Sequence, residues 1–256
     1  MKFCFLILST MFSLFTSGQQ PGSSFPALTR HDSIGKGILQ ISFGEKIPLY
    51  ANATDKTPFD TLVIRQKKDG SYAFLTKVLK NRFEPYRLSE GDTYETGRAN
   101  IQRGLVHFPA KMQLRVVEAT STHFRVVINE KEKLTCYIHR QPGYTLYNTL
   151  REKESSKGGH KPRWYLYETW EHLLQRVYLI EIKKGIPLFE SPDGHRIPYP
   201  KREDSCEECF RVGEVRGAWA QLLDRNDYQL KKKPYGWVKW HNGTAMYITY
   251  MEFGYE

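Results

Sequence analysis

The spacing best suited to redox or metal chemistry in this chain is a single Cys-x-x-Cys motif, Cys206-Glu207-Glu208-Cys209. Structural zinc commonly needs two such pairs, or one pair with histidines, and the sequence has no second pair. A redox pair belongs at a helix N-terminus, whereas this motif leads into residues 210–213, which have the pattern of a strand. We therefore predict either a disulfide between Cys206 and Cys209 that tightens a loop or two reduced thiols, with no metal and no other cofactor.

The other residues that could act in catalysis do not form a convincing set. A cysteine nucleophile needs a base within hydrogen-bond reach, but Cys136 and His139 lie three residues apart on one predicted strand and should face opposite sides. The eight histidines are dispersed, without the spacing of a known metal motif. Glu118 and Glu214 occupy equivalent places in a sequence repeat, which favours a structural role. The sequence identifies no catalytic residue and leans against an enzyme.

Aromatic and basic residues near the C-terminus could line a groove for a ligand. These residues are Trp219, Tyr235, Trp237 and Trp240, with Lys231, Lys232 and Lys233 close by in the sequence. Their rings offer flat contact area for a sugar or a peptide, and the ammonium groups attract anions. Each tryptophan could equally belong to the core, and Trp237 and Trp240 should leave their strand on different faces. The sequence therefore predicts a groove that binds its ligand weakly.

The same elements occur twice along the chain, in the same order. Ile47-Pro48-Leu49-Tyr50 matches Ile186-Pro187-Leu188-Phe189, and Arg115-Val116-Val117-Glu118-Ala119 matches Arg211-Val212-Gly213-Glu214-Val215. Each is followed by an aromatic strand, around Phe124 and Trp219, and by a closing pair, Tyr137-Ile138 and Trp237-Val238. The repetition predicts two copies of one small β unit, at residues 36–150 and 178–256.

The material between and within the copies completes the predicted organisation. The first copy carries an insertion at about residues 59–106, which begins with a hairpin around a Lys68-Asp69-Gly70 turn. Residues 151–177 read as a loop followed by one helix from Trp164 to about Val177. The apolar residues of that helix can share one face, and we expect it to pack between the two β units.

The second copy resembles a bacterial SH3-like (SH3b-type) domain. Its residues 186–194 resemble the opening strand and turn, residues 212–222 the central hairpin, and Tyr235-Gly236-Trp237-Val238 the glycine-tryptophan-valine strand of that family. The first copy is less similar, since Cys136-Tyr137-Ile138 replaces that strand. The resemblance implies a mostly β protein of two small barrels joined by one helix. It also implies non-catalytic modules that hold peptidoglycan peptides or other envelope ligands.

The N-terminus has the layout of a secretory signal peptide. One lysine precedes a short apolar run, and small residues follow up to Gly18. We expect residues 1–18 to be removed and residues 19–35 to form a flexible leader. No later stretch is apolar enough for a transmembrane segment. The predicted location is therefore secreted, in the periplasm or outside the cell.

The charge of the chain favours anionic partners. The formal net charge is +10, carried by scattered lysines and arginines. Outside the cytoplasm such a charge suits cell-envelope polymers, phospholipid headgroups or acidic glycans, although a basic surface also serves solubility alone. Nucleic acid is disfavoured as a partner because of the signal peptide.

The leading hypothesis is a secreted binding or scaffold module for a cell-envelope glycan or peptide. One alternative is a hydrolase-type enzyme with a site in the insertion or between the domains. A second alternative is an inhibitor or immunity-type protein that acts on a protein partner. A cleft holding histidines and carboxylates would favour the enzyme, and an aromatic groove with basic neighbours would favour ligand binding.

Overall fold

The structure is a computed structural model that describes most of the chain between Phe25 and Glu252. The described residues are 25–41, 46–66, 72–83, 105–106, 111–156, 163–201, 206, 208–226 and 232–252. The predicted signal peptide, residues 1–18, lies outside them. The chain is mostly β, as the sequence predicts. Among the described helices, none is both long and apolar enough to cross a membrane.

The described strands and helices are short and follow one another closely. In chain order the strands are β1 Gly37–Ile41, β2 Lys46–Leu49, β3 Asp60–Gln66, β4 Tyr72–Leu75, β5 Leu105–Val106, β6 Lys111–Ala119, β7 His123–Asn129, β8 Leu134–His139, β9 Thr145–Tyr147, β10 Trp164–Thr169, β11 Leu179–Ile182, β12 Leu188–Phe189, β13 Arg196–Ile197, β14 Cys209–Arg216, β15 Trp219–Leu223, β16 Gly236–Lys239 and β17 Ile248–Glu252. The helices are α1 Leu150–Glu154 and α2 Trp170–Arg176, and a 3₁₀ turn spans Lys80–Arg82.

Two large sheets contain most of these strands. The first has the order β8-β7-β6-β1-β10-β9, with β5 on β6, and the second has the order β13-β12-β16-β15-β14-β11-β17. All pairs are antiparallel except β9 with β10. Neither sheet closes into a barrel through the strands that are described.

A third sheet of three strands contains the predicted hairpin. Strand β3 pairs with both β2 and β4, which confirms a hairpin at the start of the insertion; its predicted turn lies outside the described residues. The buried carboxylate of Asp60 fixes the segment that follows, since it accepts backbone N–H bonds from Thr61, Lys77, Val78 and Leu79 at 2.7–2.9 Å. Leu79 is thereby held in the core of the first sheet.

The sequence repeat corresponds to a shared order of strand pairing. The series β8-β7-β6-β1-β10 in the first sheet has the same order as β16-β15-β14-β11-β17 in the second. Tyr50, after β2, bridges Tyr137 of β8, just as Phe189 of β12 pairs with Trp237 of β16. The segments matched by sequence therefore occupy matched places in the two sheets, except that Phe124 corresponds to Ala220, one residue after Trp219.

The predicted helix from Trp164 is wrong in its first half. Residues 164–169 form β10, which pairs with β1, and the helix begins only at Trp170. Tyr165 and Tyr167 lie on the core face of the first sheet while Leu166 lies on the other, and this alternation suits a strand. The Thr169 hydroxyl accepts the backbone N–H of His172 at 3.3 Å and caps the helix. A second helix, α1, lies in the predicted loop.

Residues 25–35, predicted as part of a flexible leader, are instead bound to the fold. The backbone N–H of Thr135 donates to Thr29 O at 2.9 Å, and the backbone N–H of His31 donates to Lys133 O at 3.0 Å. Ile34 is buried. These hydrogen bonds hold the segment beside β8. Its backbone groups are paired with the fold, so it does not behave as a free chain.

One core joins the two sheets. Trp170, Leu173, Leu174 and Val177 around α2 pack in a single buried cluster with Ile34 and Ile38 on one side and the second sheet on the other. The Trp170 indole N–H donates to Ile34 O at 3.2 Å, and its ring lies 5.9 Å from that of Trp240. The predicted domain boundaries at 150 and 178 therefore cut through the first sheet and through this core.

Leu173→Ala tests whether α2 couples the two sheets. Leu173 is fully buried, so its truncation should lower the free energy of unfolding by about 3 kcal/mol through lost packing. Urea denaturation followed by NMR should show signals of both sheets disappearing together at the lower midpoint. The exposed helix residue Gln175 provides the control, because Gln175→Ala should change stability by less than about 0.5 kcal/mol. Early loss of the second sheet alone would contradict the coupling.

Candidate functional site

The candidate site is built on the outer face of the second sheet. Ala220 and Leu222 of β15, with Val238 of β16, point into the core. Because side chains alternate along a strand, Trp219, Gln221 and Trp237 point the other way. In the antiparallel register, Trp219 lies opposite Lys239 and Gln221 lies opposite Trp237. An aromatic and basic surface results.

Both outer-face tryptophans lie beneath cations of their own sheet. The Lys239 ammonium lies 5.0 Å from the centroid of the Trp219 ring, and the Arg216 guanidinium lies 5.0 Å from that of Trp237. Glu214 holds Arg216 by two bonds of 2.6 and 2.7 Å. Trp219 is only 8% exposed and Trp237 only 6%. Their ring faces therefore offer little free area for stacking, which the sequence had suggested as the binding mode.

A groove nevertheless opens beside Trp219. Its volume is about 440 Å³, and we name it the Trp219 groove. Its lining residues are Ile186, Pro187, Phe189, Asp193, Gly194, Trp219, Lys239 and Tyr247. Phe189 meets the edge of the Trp219 ring with centroids 5.1 Å apart. Phe189 and Tyr247 are half-buried, so they provide walls while Trp219 provides the floor.

The groove carries one positive and one negative side chain. Lys239 and Asp193 are both exposed, and neither has an ion-pair partner among the described residues. Asp193 sits in the turn after β12 with a positive φ of 59°, stabilised by the Gly194 N–H bond to Ser191 O at 3.0 Å. The groove thus presents opposite charges beside an aromatic wall.

Two of the aromatic residues predicted for the groove lie elsewhere. Trp240 is 2% exposed in the shared core, where its indole N–H donates to Gly217 O at 2.8 Å. Tyr235 packs against that core, with its ring 6.1 Å from Phe210. The predicted set is therefore not one surface, because Trp219 and Trp237 leave the sheet on the opposite side from Trp240.

The predicted lysines do not line the Trp219 groove either. Lys232 is bound to Asp224, with 2.7 Å between its Nζ and the Asp224 Oδ2. Lys233 is exposed and is absent from the lining of the groove. Lys231 lies outside the described residues. The neighbour that supplies the positive charge is instead Lys239, two residues beyond Trp237 and on the same face.

The first sheet fills the equivalent surface with its own side chains. By register, Tyr137, His123 and His139 stand where the second sheet has Trp237, Trp219 and Lys239. Tyr50 stacks on His139 with centroids 3.8 Å apart, and His123 meets the edge of Tyr137 at 5.3 Å. These rings pack against one another and fill the surface, so the matched faces of the two sheets differ in what they can offer a ligand.

The cysteines have structural surroundings. Cys206 and Cys209 form a disulfide in the loop that leads into β14. Cys136 is fully buried on the core face of β8, and burial raises the pKa of its thiol, so it stays protonated. His139 stacks on Tyr50 on the opposite face. Among the described residues, no group of three histidine, cysteine or acidic side chains could hold a metal ion.

Sequence reasoning missed most of the residues that line the Trp219 groove. Phe189 and Lys239 could have been found from the repeat, since their partners in the first copy are aromatic. Asp193 and Tyr247 come from separate loops, and no short sequence motif connects them. The groove depends on strand register, which the sequence pattern alone does not determine.

Comparison with protein families, with curated proteins and with solved structures found no match for this chain.

The Asp224 carboxylate should make stability depend on pH at acidic values. Lys232, the Asn226 backbone N–H and the Tyr235 hydroxyl bind it and lower its pKa to about 2. Because this value lies below that of an unfolded aspartate, about 3.9, the stabilisation is full above about pH 4 and is lost as the pH falls towards 2. Asp224→Asn should therefore cost about 1–2 kcal/mol at pH 6 and almost nothing at pH 2.

Urea midpoints of the wild type and the Asp224→Asn variant at both pH values check this. Asp32 is the control, since it also pairs with a lysine, Lys133, but its side chain is 73% exposed. Asp32→Asn should leave the urea midpoint nearly unchanged at both pH values, because solvent screens an exposed ion pair. An Asp224→Asn cost that is the same at pH 2 and pH 6 would show that the carboxylate charge is unimportant.

Proposed function

We propose that this is a secreted, non-catalytic binding protein of two SH3-like units, and that its second unit holds a peptide-bearing fragment of the cell envelope in the Trp219 groove. The observation that carries the proposal is the presence of both Lys239 and Asp193 in the lining of one aromatic groove. Each charged group is exposed and has no ion-pair partner among the described residues.

The shared strand order supports two copies of one unit. Both sheets contain an antiparallel meander of three strands, with one further strand paired to the first strand of the meander. In both, the segment that precedes the meander in sequence pairs with its third strand. The glycine-tryptophan-valine strand supports the SH3-like assignment of the second copy. At Gly236, with φ of 151°, a Cβ atom would lie 2.5 Å from Phe189 O, so glycine lets β16 pair closely with β12.

The charges of the groove suit a zwitterionic peptide. Peptidoglycan stem peptides carry both amino and carboxyl groups, which Asp193 and Lys239 could bind as charge-assisted hydrogen bonds. Phe189 and Tyr247 offer contact area for an alkyl chain or a sugar ring. Small contact area and exposed charges make the expected affinity weak, with Kd near 1 mM.

The lining of the clefts supports binding over hydrolysis. Three clefts lie around the segment from β11 to β13, and their described lining residues are aliphatic, aromatic and charged, with no histidine or cysteine among them. The proposed secretion rests on the N-terminal sequence alone, and an N-terminus at Gln19 in exported protein would support it.

Lys239→Gln should weaken the binding of a soluble peptidoglycan disaccharide-tetrapeptide about five-fold. The substitution removes the charge that pairs with a carboxylate while keeping a polar side chain, and an exposed charged hydrogen bond contributes about 1 kcal/mol. Isothermal titration calorimetry or NMR titration of the full chain measures the change in Kd. Lys233→Gln, a loss of the same charge nearby in sequence, should leave Kd unchanged.

Three results would contradict the proposal. The first is no binding by the wild type at 10 mM fragment, about ten times the Kd expected. The second is equal binding by wild type and Lys239→Gln. The third is weakening by Lys233→Gln instead, which would place the ligand on the lysine segment that the sequence had suggested.

A further inference from the structure

A second cleft lies at the start of the β11–β12 connection, next to the Ile186-Pro187 segment in sequence. Its volume is about 480 Å³. Its lining residues are Ile182, Lys183, Lys184, Gly185, Tyr199, Pro200, Lys201, Glu208 and Phe210. We name it the lysine cleft. It shares no lining residue with the Trp219 groove.

Three lysines give the cleft a positive rim. Lys183, Lys184 and Lys201 are all exposed, and none has an ion-pair partner among the described residues. Among the described lining residues, Glu208 is the one acidic side chain. Three ammonium groups converge here from two separate loops, so the cleft attracts anions.

The interior of the cleft is apolar. Phe210 and Ile182 form a buried base, at 0% and 2% exposure, while Tyr199 is 39% exposed. The Tyr199 hydroxyl donates to Ile186 O at 2.9 Å, which turns its ring into a wall. Burial and the nearby Glu208 raise the pKa of Tyr199 to about 12, so the phenol remains neutral. A small inorganic anion would leave this apolar surface unused.

The cleft is held open by covalent and hydrogen-bonded constraints. The Ile182 backbone N–H donates to Glu208 O at 3.0 Å, and the Cys206–Cys209 disulfide closes the short loop around Glu208. Gly185 has φ of 87° at the turn of the opposite loop, a conformation suited to glycine. Constrained walls reduce the ordering cost of binding a flexible ligand.

We propose that the lysine cleft binds an acidic peptide, with an apolar side chain against Tyr199 and Phe210 and flanking carboxylates at Lys183, Lys184 and Lys201. The apolar base distinguishes a peptide from an acidic glycan, because a peptide can combine a bulky apolar side chain with carboxylates on both sides. This site stands apart from the Trp219 groove and does not rest on the function proposed for it.

The test uses the full chain and the capped pentapeptide Glu-Glu-Phe-Glu-Glu. We expect saturable binding at low salt with Kd between ~0.1 and 1 mM, weakened several-fold in 0.5 M NaCl as exposed charges are screened. NMR shifts should map to Gly185 and Tyr199. Capped Gln-Gln-Phe-Gln-Gln and Glu-Glu-Ser-Glu-Glu, which lack the charges or the ring, should each bind at least five-fold more weakly.

A matched pair of triple variants separates the cleft from general charge. Lys183→Gln, Lys184→Gln and Lys201→Gln together should weaken the Phe peptide at least ten-fold. Lys46→Gln, Lys56→Gln and Lys77→Gln remove the same charge from exposed sites elsewhere, and should weaken it less than two-fold. Lys239→Gln should leave this peptide's Kd unchanged, whatever its effect on the envelope fragment.

Equal weakening by the two triple variants would overturn the proposal, as would equal binding of the Glu and Gln peptides. Oligogalacturonate provides the glycan comparison. If it binds the cleft more tightly than the Phe peptide does, the acidic-peptide assignment is wrong.

Discussion

The register between two pairs of antiparallel strands determines which side chains reach the surface of this protein. In β15 and β16, Ala220 lies opposite Val238 and faces the core, so Trp219 and Lys239 face outward as a pair. In β7 and β8 the same register places Phe124 and Ile138 inward and His123 and His139 outward. A slip of one residue would exchange core and surface in either sheet. The chemistry of each outer face follows from this constraint.

The shared core keeps the two faces in a fixed relation. Helix α2 packs on Ile38 of the first sheet and on the second sheet at once, and Ile34 joins them through its hydrogen bond to Gly243 O at 2.9 Å. A ligand surface on the second sheet is therefore supported by residues from the N-terminal third of the chain. The matched strands carry different side chains on their outer faces. In the first sheet these side chains pack against one another, and in the second sheet they leave a groove.

The sequence predicted the repeated strands because their apolar residues alternate and their order is conserved between the copies. It also predicted that α2 would have an apolar face. It could not place the start of that helix, because the helical spacing from Leu166 onward competes with pairing to β1, a contact distant in sequence. The sequence also did not identify the residues of the groove, for a related reason. Lys232 is near Trp237 in the chain but binds Asp224, whereas Lys239 reaches Trp219 only through the strand register.

The lysine cleft had no sequence signal at all. Lys183 and Lys184 come from one loop and Lys201 from another, and only the pairing of β11 with β14 brings those loops together. A run of lysines such as Lys231-Lys232-Lys233 is easily recognised in a sequence. Lysines that are distant in sequence can nevertheless line one cleft, as Lys184 and Lys201 do. Surface function in a small β protein is set by loops whose proximity is a property of the sheet.

The most direct test of the Trp219 groove is ¹⁹F NMR of protein labelled with 5-fluorotryptophan. The chain has five tryptophans, which give one signal each once assigned by Trp→Phe variants. Addition of the peptidoglycan disaccharide-tetrapeptide should shift the signal of Trp219 most, with a smaller change at Trp237 and none at Trp170 or Trp240 in the shared core. A largest shift at Trp170 or Trp240, or no shift at Trp219 when binding is saturated, would contradict the account.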